Sequence, residues 1–238
     1  MSSSIKRKLK DRKPVTVINP DHPSPSLVAS IAKLGFDGIF IDCEHGAANM
    51  ERVEDMARAA RLHGAESILR PDTGLPWLIT RYLHRGVDGV MVPLVHTAAD
   101  AQRVVDTVRY AHPDDYEDKI IVLMIESVDG IKNLKQMLKI DGIDVFFIGP
   151  GDLSQSMGYP LRVWEGQARP AAVTTAVDRA IAAIVDAGKT AGTLVNRTDT
   201  AEYIEKGVLY LYDHASHFLT SGANEFLERV ASARLPKP

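Results

Sequence analysis

The feature that most constrains this chain is an alternation repeated eight times. A short apolar run rich in β-branched or aromatic residues is followed each time by a segment whose apolar positions fall at helical spacing. The apolar runs lie at 15–18, 39–42, 66–70, 88–92, 119–125, 144–148, 190–195 and 208–212, and the helical segments at 26–34, 49–63, 76–84, 98–110, 131–138, 170–187, 200–206 and 216–233. Runs such as Ile39-Phe40-Ile41 show no polar alternation, which marks a strand covered on both faces, as in a parallel sheet. Local punctuation agrees: Asn49 caps a helix, Pro71 stops a strand and Gly86 closes a helix. Eight such units in 238 residues fit an α/β chain folded as a (β/α)8 TIM barrel, one domain over 1–238, better than an open doubly wound sheet. No Gly-x-Gly-x-x-Gly turn argues for a dinucleotide fold. The one longer insertion predicted is 154–169.

Composition excludes several function classes. With 45% hydrophobic side chains the chain can bury a large core, yet no apolar stretch is long enough for a membrane span. A net charge of −3 gives no electrostatic footprint for nucleic acid. The basic start, residues 1–13, lacks the apolar core of a secretory signal and reads as a solvated first helix. The single cysteine, Cys43, precludes an internal disulfide and points to a reducing compartment, the cytoplasm.

Chemistry collects where the runs end. Asp42, Arg70, Glu126 and Asp152 each sit at or just past the end of a different run, and His45 follows Asp42 by three residues. In a parallel barrel all of these ends open at one mouth. Taken singly each has a structural reading, with Arg70 paired to Asp72, Glu126 starting a helix and Asp42 capping one. Together, three carboxylates in one mouth call for a hard divalent cation, and two carboxylates plus water and substrate oxygens suit Mg2+ or Mn2+, with Co2+ as the softer option. On this reading Glu126 and Asp152 are the ligands, Asp42 stands behind a water or a hydrogen bond, and Arg70 offers a fork to a substrate carboxylate.

These residues resemble the HpcH/HpaI aldolase/citrate lyase family of class II pyruvate-dependent aldolases. The resemblance is carried by the run from Gly35 to Gly46 (GFDGIFIDCEHG), Leu69-Arg70-Pro71, Val92-Pro93, Ile125-Glu126-Ser127 and the run from Phe147 to Ser154 (FIGPGDLS). It implies that His45 is the catalytic base, that Arg70 holds the keto acid, that Glu126 and Asp152 ligate the metal, and that Gly151 offers its backbone to the substrate. It also implies a (β/α)8 barrel assembled as a dimer-based homo-oligomer, usually a hexamer, with the last helix exchanged between subunits. The apolar residues Phe218, Leu219, Phe226, Leu227 and Val230 of that helix fit such burial.

Four departures bear on specificity. Met124 replaces a glutamine that touches substrate in the family, and Asn19 replaces a tryptophan at the end of the first strand. His84 stands where the family often places an acid from the adjacent subunit beside the catalytic histidine. The family's loop after Tyr110 is replaced by the short stretch 111–118, which should leave the mouth more open.

The expected activity is reversible cleavage of a 4-hydroxy-2-oxo acid to pyruvate, or hydroxypyruvate, and an aldehyde through an enolate that the metal and Arg70 stabilise. No lysine ends a strand near the metal motif, which disfavours a Schiff base. Alternatives on the same site are an oxaloacetate decarboxylase or a citrate-forming ligase. An alternative of another class is a barrel that binds a sugar acid without turnover.

Overall fold

The computed structural model describes residues 3–159 and 169–233. Eight parallel strands close into a barrel in sequence order. They are β1 (Val15–Asn19), β2 (Gly38–Asp42), β3 (Glu66–Arg70), β4 (Gly89–Val92), β5 (Ile120–Ile125), β6 (Val145–Ile148), β7 (Ala191–Leu194) and β8 (Val208–His214). Closure is made by β8 pairing with β1, with Val15 opposite Tyr210 and Asn19 opposite His214. The expected (β/α)8 architecture is therefore the observed one.

Helices wrap the strands: α2 (Pro25–Ala32), α3 (Met50–Leu62), α4 (Pro76–Leu83), α5 (Ala98–Ala111), α6 (Val128–Met137), α7 (Pro150–Ser156), α8 (Ala171–Asp186), α9 (Thr200–Glu205) and α10 (Ala215–Ser232). Their starts follow from local chemistry. Asn49 Oδ1 accepts from the Arg52 N–H at 2.9 Å, and Thr97 with Asp100 forms a reciprocal capping box at the head of α5.

The strand residues divide by parity, because successive side chains of a strand point to opposite faces. Val17, Phe40, Ile68, Met91, Val122, Phe147 and Tyr210 point inward and fill the barrel. Their neighbours Ile18, Ile39, Ile41, Leu69, Val90, Val92, Leu123, Phe146 and Ile148 point outward against the helices. Every one of these residues is apolar, which is why the strands read as unbroken apolar runs.

Two sequence expectations are corrected. The basic lead forms α1 (Ser4–Lys10), but it is not simply solvated: Ile5 and Leu9, one turn apart, are buried, and Ile5 joins the cluster inside the barrel. Burying an isoleucine contributes roughly 1.5–3 kcal/mol, so α1 acts as an apolar stopper below the strands, while Lys6 reaches Asp144 at 3.2 Å. Ser3 and Lys8 fasten it, through Glu66 at 2.6 Å and Asp37 at 2.5 Å. The insertion predicted at 154–169 starts instead inside α7, because Pro150 sets the helical φ at the first position and Gly149 precedes it. The remainder of that insertion, 160–168, lies outside the described residues. In the shortened stretch 111–118 the chain makes a 3-10 turn at Tyr116–Asp118.

Candidate active site

The inward parity that fills the barrel also builds the mouth. Two residues beyond Val17, Phe40, Ile68, Met124, Phe147 and Tyr212 the same inward direction carries Asn19, Asp42, Arg70, Glu126, Gly149 and His214. On five of the eight strands the interior thus changes from apolar to polar within one step.

Arg70 is the centre of this layer. Its Nε and Nη2 donate to Asp42 Oδ1 and Oδ2 at 3.0 and 2.7 Å, a bidentate fork, and its Nη1 lies 2.9 Å from Glu44 Oε2. The guanidinium also stands over the Phe40 ring at 5.6 Å. Only 8% of Arg70 is exposed, yet hydrogen bonds from it to Asp42 and the charges of Asp42 and Glu44 outweigh desolvation and raise its pKa, so it stays charged. Asp42 responds in the opposite sense. Burial alone would raise its pKa, but Arg70 and the backbone N–H groups of Glu44 and His45 hold it below the usual carboxylate value.

Asp42 is thereby the positioning residue of the site. Its Oδ1 accepts from the backbone N–H of Glu44 at 3.1 Å and of His45 at 3.2 Å, folding the chain after β2 back over the strand end. Gly46 is needed for this turn, since a Cβ there would fall 2.2 Å from the Asp42 carbonyl oxygen. The turn presents the His45 ring at the surface of the mouth, 3.9 Å from Glu44 Oε2 and with most of its side chain exposed.

Glu126 lies deepest, with 2% exposure. Its Oε1 accepts from the Leu94 N–H at 2.8 Å, and Leu94 holds a left-handed φ of +52° to deliver that bond. Its Oε2 is buried with no hydrogen-bond partner. Desolvation, chiefly, pushes the Glu126 carboxyl up to about 7, with the charges of Asp152 and Glu44 adding to the rise and the Leu94 bond and Arg70 opposing it. Gly149 permits this packing, because a Cβ there would sit 2.7 Å from Glu126 Oε2, with the Met124 methyl beside it at 3.5 Å. Gly151 and Asp152 follow in the first turn of α7, partly exposed at the same mouth.

A divalent cation fits this arrangement. One oxygen of Glu126 is fixed by the backbone and the other is left without a partner, while Asp152 supplies a second carboxylate near enough to raise the Glu126 pKa. Among the described residues no group of three or more His, Cys, Asp or Glu side chains is arranged to hold an ion. Two carboxylates with water and substrate oxygens completing the shell is the habit of Mg2+ and Mn2+ rather than of structural zinc.

Of the residues singled out in the sequence, Asp42, Arg70, Glu126, Asp152, Gly151, Met124 and His45 come to this mouth. His84 does not join them within the chain. It caps the C-terminal end of α4, at the opposite end of the barrel, with Nε2 3.3 Å from the Ala111 carbonyl and its ring 6.0 Å from that of His112. Three further polar residues at the mouth escaped the sequence reading. Glu44 is part of the second strand's motif and is visible there only as one more acid. Asp21 and His214 sit beyond β1 and β8, and the eighth strand was predicted to end two residues before His214.

Fold and site together describe a (β/α)8 barrel whose mouth pairs a buried carboxylate, Glu126, with a clamped arginine, Arg70. The profile of the HpcH/HpaI aldolase/citrate lyase family matches residues 21–220, and the chain belongs to that family. It is 30% identical over 235 residues to the 4-hydroxy-2-oxo-heptane-1,7-dioate aldolase of Shigella flexneri, covering 89% of this chain and 86% of that one. It is 31% identical over 234 residues to the hydroxypyruvate/pyruvate aldolase of Agrobacterium fabrum, with 88% and 85% covered. A family member from Burkholderia cenocepacia J2315 superposes with a TM-score of 0.86 at 25% identity, over 97% of this chain and 100% of that one. The chain is accordingly a carbon–carbon lyase of the aldolase type.

Proposed function

We propose that this protein is a divalent-cation-dependent aldolase that cleaves a 4-hydroxy-2-oxo acid reversibly to pyruvate or hydroxypyruvate and an aldehyde. The observation that carries the reading is the unpartnered, buried Oε2 of Glu126 at the end of β5, beside Asp152 and within the field of Arg70. Held by Glu126 and Asp152, Mg2+ or Mn2+ supplies Lewis acidity at the keto acid's carbonyl.

The chain's own residues do the rest. Arg70 spends two of its five N–H groups on Asp42, which fixes the plane of the guanidinium and leaves others for the substrate carboxylate and the developing enolate oxygen. His45, whose backbone is pinned by Asp42, takes the proton of the C4 hydroxyl as the C3–C4 bond breaks and returns it in synthesis. Gly151 offers its backbone N–H at the head of α7, and Met124 forms the apolar floor under the keto acid. His84 enters only through an adjacent subunit. The exposed apolar residues of α10, Phe218, Leu219, Phe226, Leu227 and Val230, support a dimer-based assembly, in family terms a hexamer with α10 exchanged. No helix among the described residues is long and apolar enough to cross a membrane, and with one free cysteine we place the enzyme in the cytoplasm.

Product analysis tests the reading. Pyruvate with a panel of aldehydes should give new 4-hydroxy-2-oxo acids in a cation-dependent manner. Turnover of oxaloacetate alone, with no aldol product from any aldehyde, would instead mark a decarboxylase. Binding of sugar acids without turnover would mark a non-catalytic barrel.

A further inference from the structure

Beyond His45 and Asp42 the mouth opens into a cavity of about 220 Å3 between the loops that follow β1, β2 and β8. Its polar walls are Asn19, Asp21, His22, Asp42, His45 and His214, and among the described residues no lysine or arginine lines it. That is room for several water-sized groups, enough for a short polyol chain.

One hydrogen-bonded chain fixes this wall. Asp21 Oδ1 accepts from His214 Nδ1 at 2.6 Å, and Asp21 Oδ2 accepts from the Ser216 N–H at 2.7 Å, which ties the first turn of α10 to the loop after β1. The other ring nitrogen of His214 faces the Tyr212 hydroxyl at 3.3 Å, and that hydroxyl accepts from Asn19 Nδ2 at 3.0 Å. Asn19 Oδ1 closes the loop by accepting from the Asp21 N–H at 2.8 Å. Asp21 adopts a left-handed φ of +63° to make these contacts. Burial would raise the pKa of Asp21, but the bonds from His214 and Ser216 and the charge of His214 outweigh it, so Asp21 faces the cavity as a carboxylate paired with His214.

Glu126 and Arg70 make their hydrogen bonds elsewhere, to Leu94 and to Asp42. Glu126, Asp152 and Arg70 do not line this cavity, whereas His45 and Asp42 do. The part of the substrate beyond the C4 hydroxyl that His45 serves must therefore project past His45 and into this cavity. Resting on the function proposed above, we propose that the cavity is the subsite for the aldehyde portion, and that Asn19, Asp21 and His214 select a short neutral hydroxyaldehyde over an aldehyde ending in a carboxylate.

Two physical reasons support the choice. A carboxylate tail would face Asp21 and Asp42, and among the described residues no lysine or arginine lines the cavity to receive it. Hydroxyl groups, in contrast, can pair with the second N–H of Asn19 and the remaining lone pairs of Asp21. A plain alkyl chain would leave those groups unpaired in a narrow cavity, which is the kind of mismatch a polar site rejects most strongly.

The test compares kcat/KM for glyceraldehyde, propionaldehyde and succinic semialdehyde in aldol addition to pyruvate with Mn2+ present. Solvent deuterium exchange into the pyruvate methyl group, which needs no aldehyde, is measured alongside as the reference for an intact keto-acid site. Glyceraldehyde should be preferred over both competitors by at least about tenfold. His22→Arg should raise the succinic semialdehyde to glyceraldehyde ratio by about tenfold or more, because it supplies the missing cation. Asn19→Leu should erase most of the preference for glyceraldehyde over propionaldehyde. Both ratios are read relative to the exchange rate of the same variant, so a general loss of structure would not mimic them. Equal or better use of succinic semialdehyde by the wild type, or ratios that move in neither variant, overturns the proposal. Absence of exchange in the wild type would instead overturn the aldolase reading, and the subsite with it.

Discussion

In protein stripped of divalent cations, Glu126→Gln should stabilise the fold at alkaline pH and leave it nearly unchanged in acid. The Glu126 carboxyl is shifted from 4.5 to about 7, first by burial and then by the charges of Asp152 and Glu44. Between those two values the native state keeps a proton that the unfolded chain has released, so stability falls as pH rises through that window. At about 1.36 kcal/mol per pKa unit the ionised carboxylate costs roughly 3 kcal/mol once the pH is above 7. For a chain of this length, at ~2–4 °C per kcal/mol, that is roughly 6–12 °C in Tm. The glutamine keeps the shape and carries no charge, so it removes the pH-dependent cost. Calorimetric melting of both proteins from about pH 5 to about pH 8 should give Tm traces that lie close together in acid, separate as the pH rises to about 7, and keep a constant gap above it. Adding Mn2+ should then raise the wild-type Tm at the alkaline end and not that of the variant. Parallel traces at all pH values would refute the claim that Glu126 is buried without a partner for its charge.

Three further outcomes follow from the same geometry. His45→Ala should lower kcat for cleavage by about 10²–10⁴ while pyruvate affinity, measured by titration calorimetry, stays within about twofold, since the ring moves a proton and does not hold the keto acid; loss of pyruvate binding would make it a ground-state contact instead. Gly149→Ala places a Cβ 2.7 Å from Glu126 Oε2 and should weaken Mn2+ binding, followed by paramagnetic resonance, with little change in the circular dichroism of the barrel. Replacing both Phe226 and Leu227 by serine should shift sedimentation from an oligomer toward smaller species, and a wild-type protein that already sediments as a monomer would rule out the role given to α10.

The barrel was legible because most strands are apolar on both faces and most helices are set off by a cap, a proline or a glycine, so local signals and global fold agree. The strand-end rule was enough to bring Asp42, Arg70 and Glu126 together. It did not reveal that Arg70 is clamped by Asp42 rather than by Asp72: Asp72 accepts from the Tyr82 hydroxyl at 2.7 Å, a contact set by the packing of α4. Nor did it show that Ile5 and Leu9 turn a basic segment into a stopper, since two apolar residues one turn apart are too few to announce a buried face. The Asp21–His214 pair joins residues 193 apart, across the β8–β1 closure. Only the closed barrel makes them neighbours.

In the proposed function, Glu126 and Asp152, past the ends of β5 and β6, hold the cation on which cleavage depends. The direct measurement is pyruvate release from a 4-hydroxy-2-oxo acid, followed by a coupled lactate dehydrogenase assay, after chelation and after return of Mg2+ or Mn2+, in the wild type and in Glu126→Gln. Release should stop on chelation, return with the cation in the wild type, and fail to return in the variant. Undiminished release after exhaustive chelation, or wild-type rates in Glu126→Gln, would contradict that dependence.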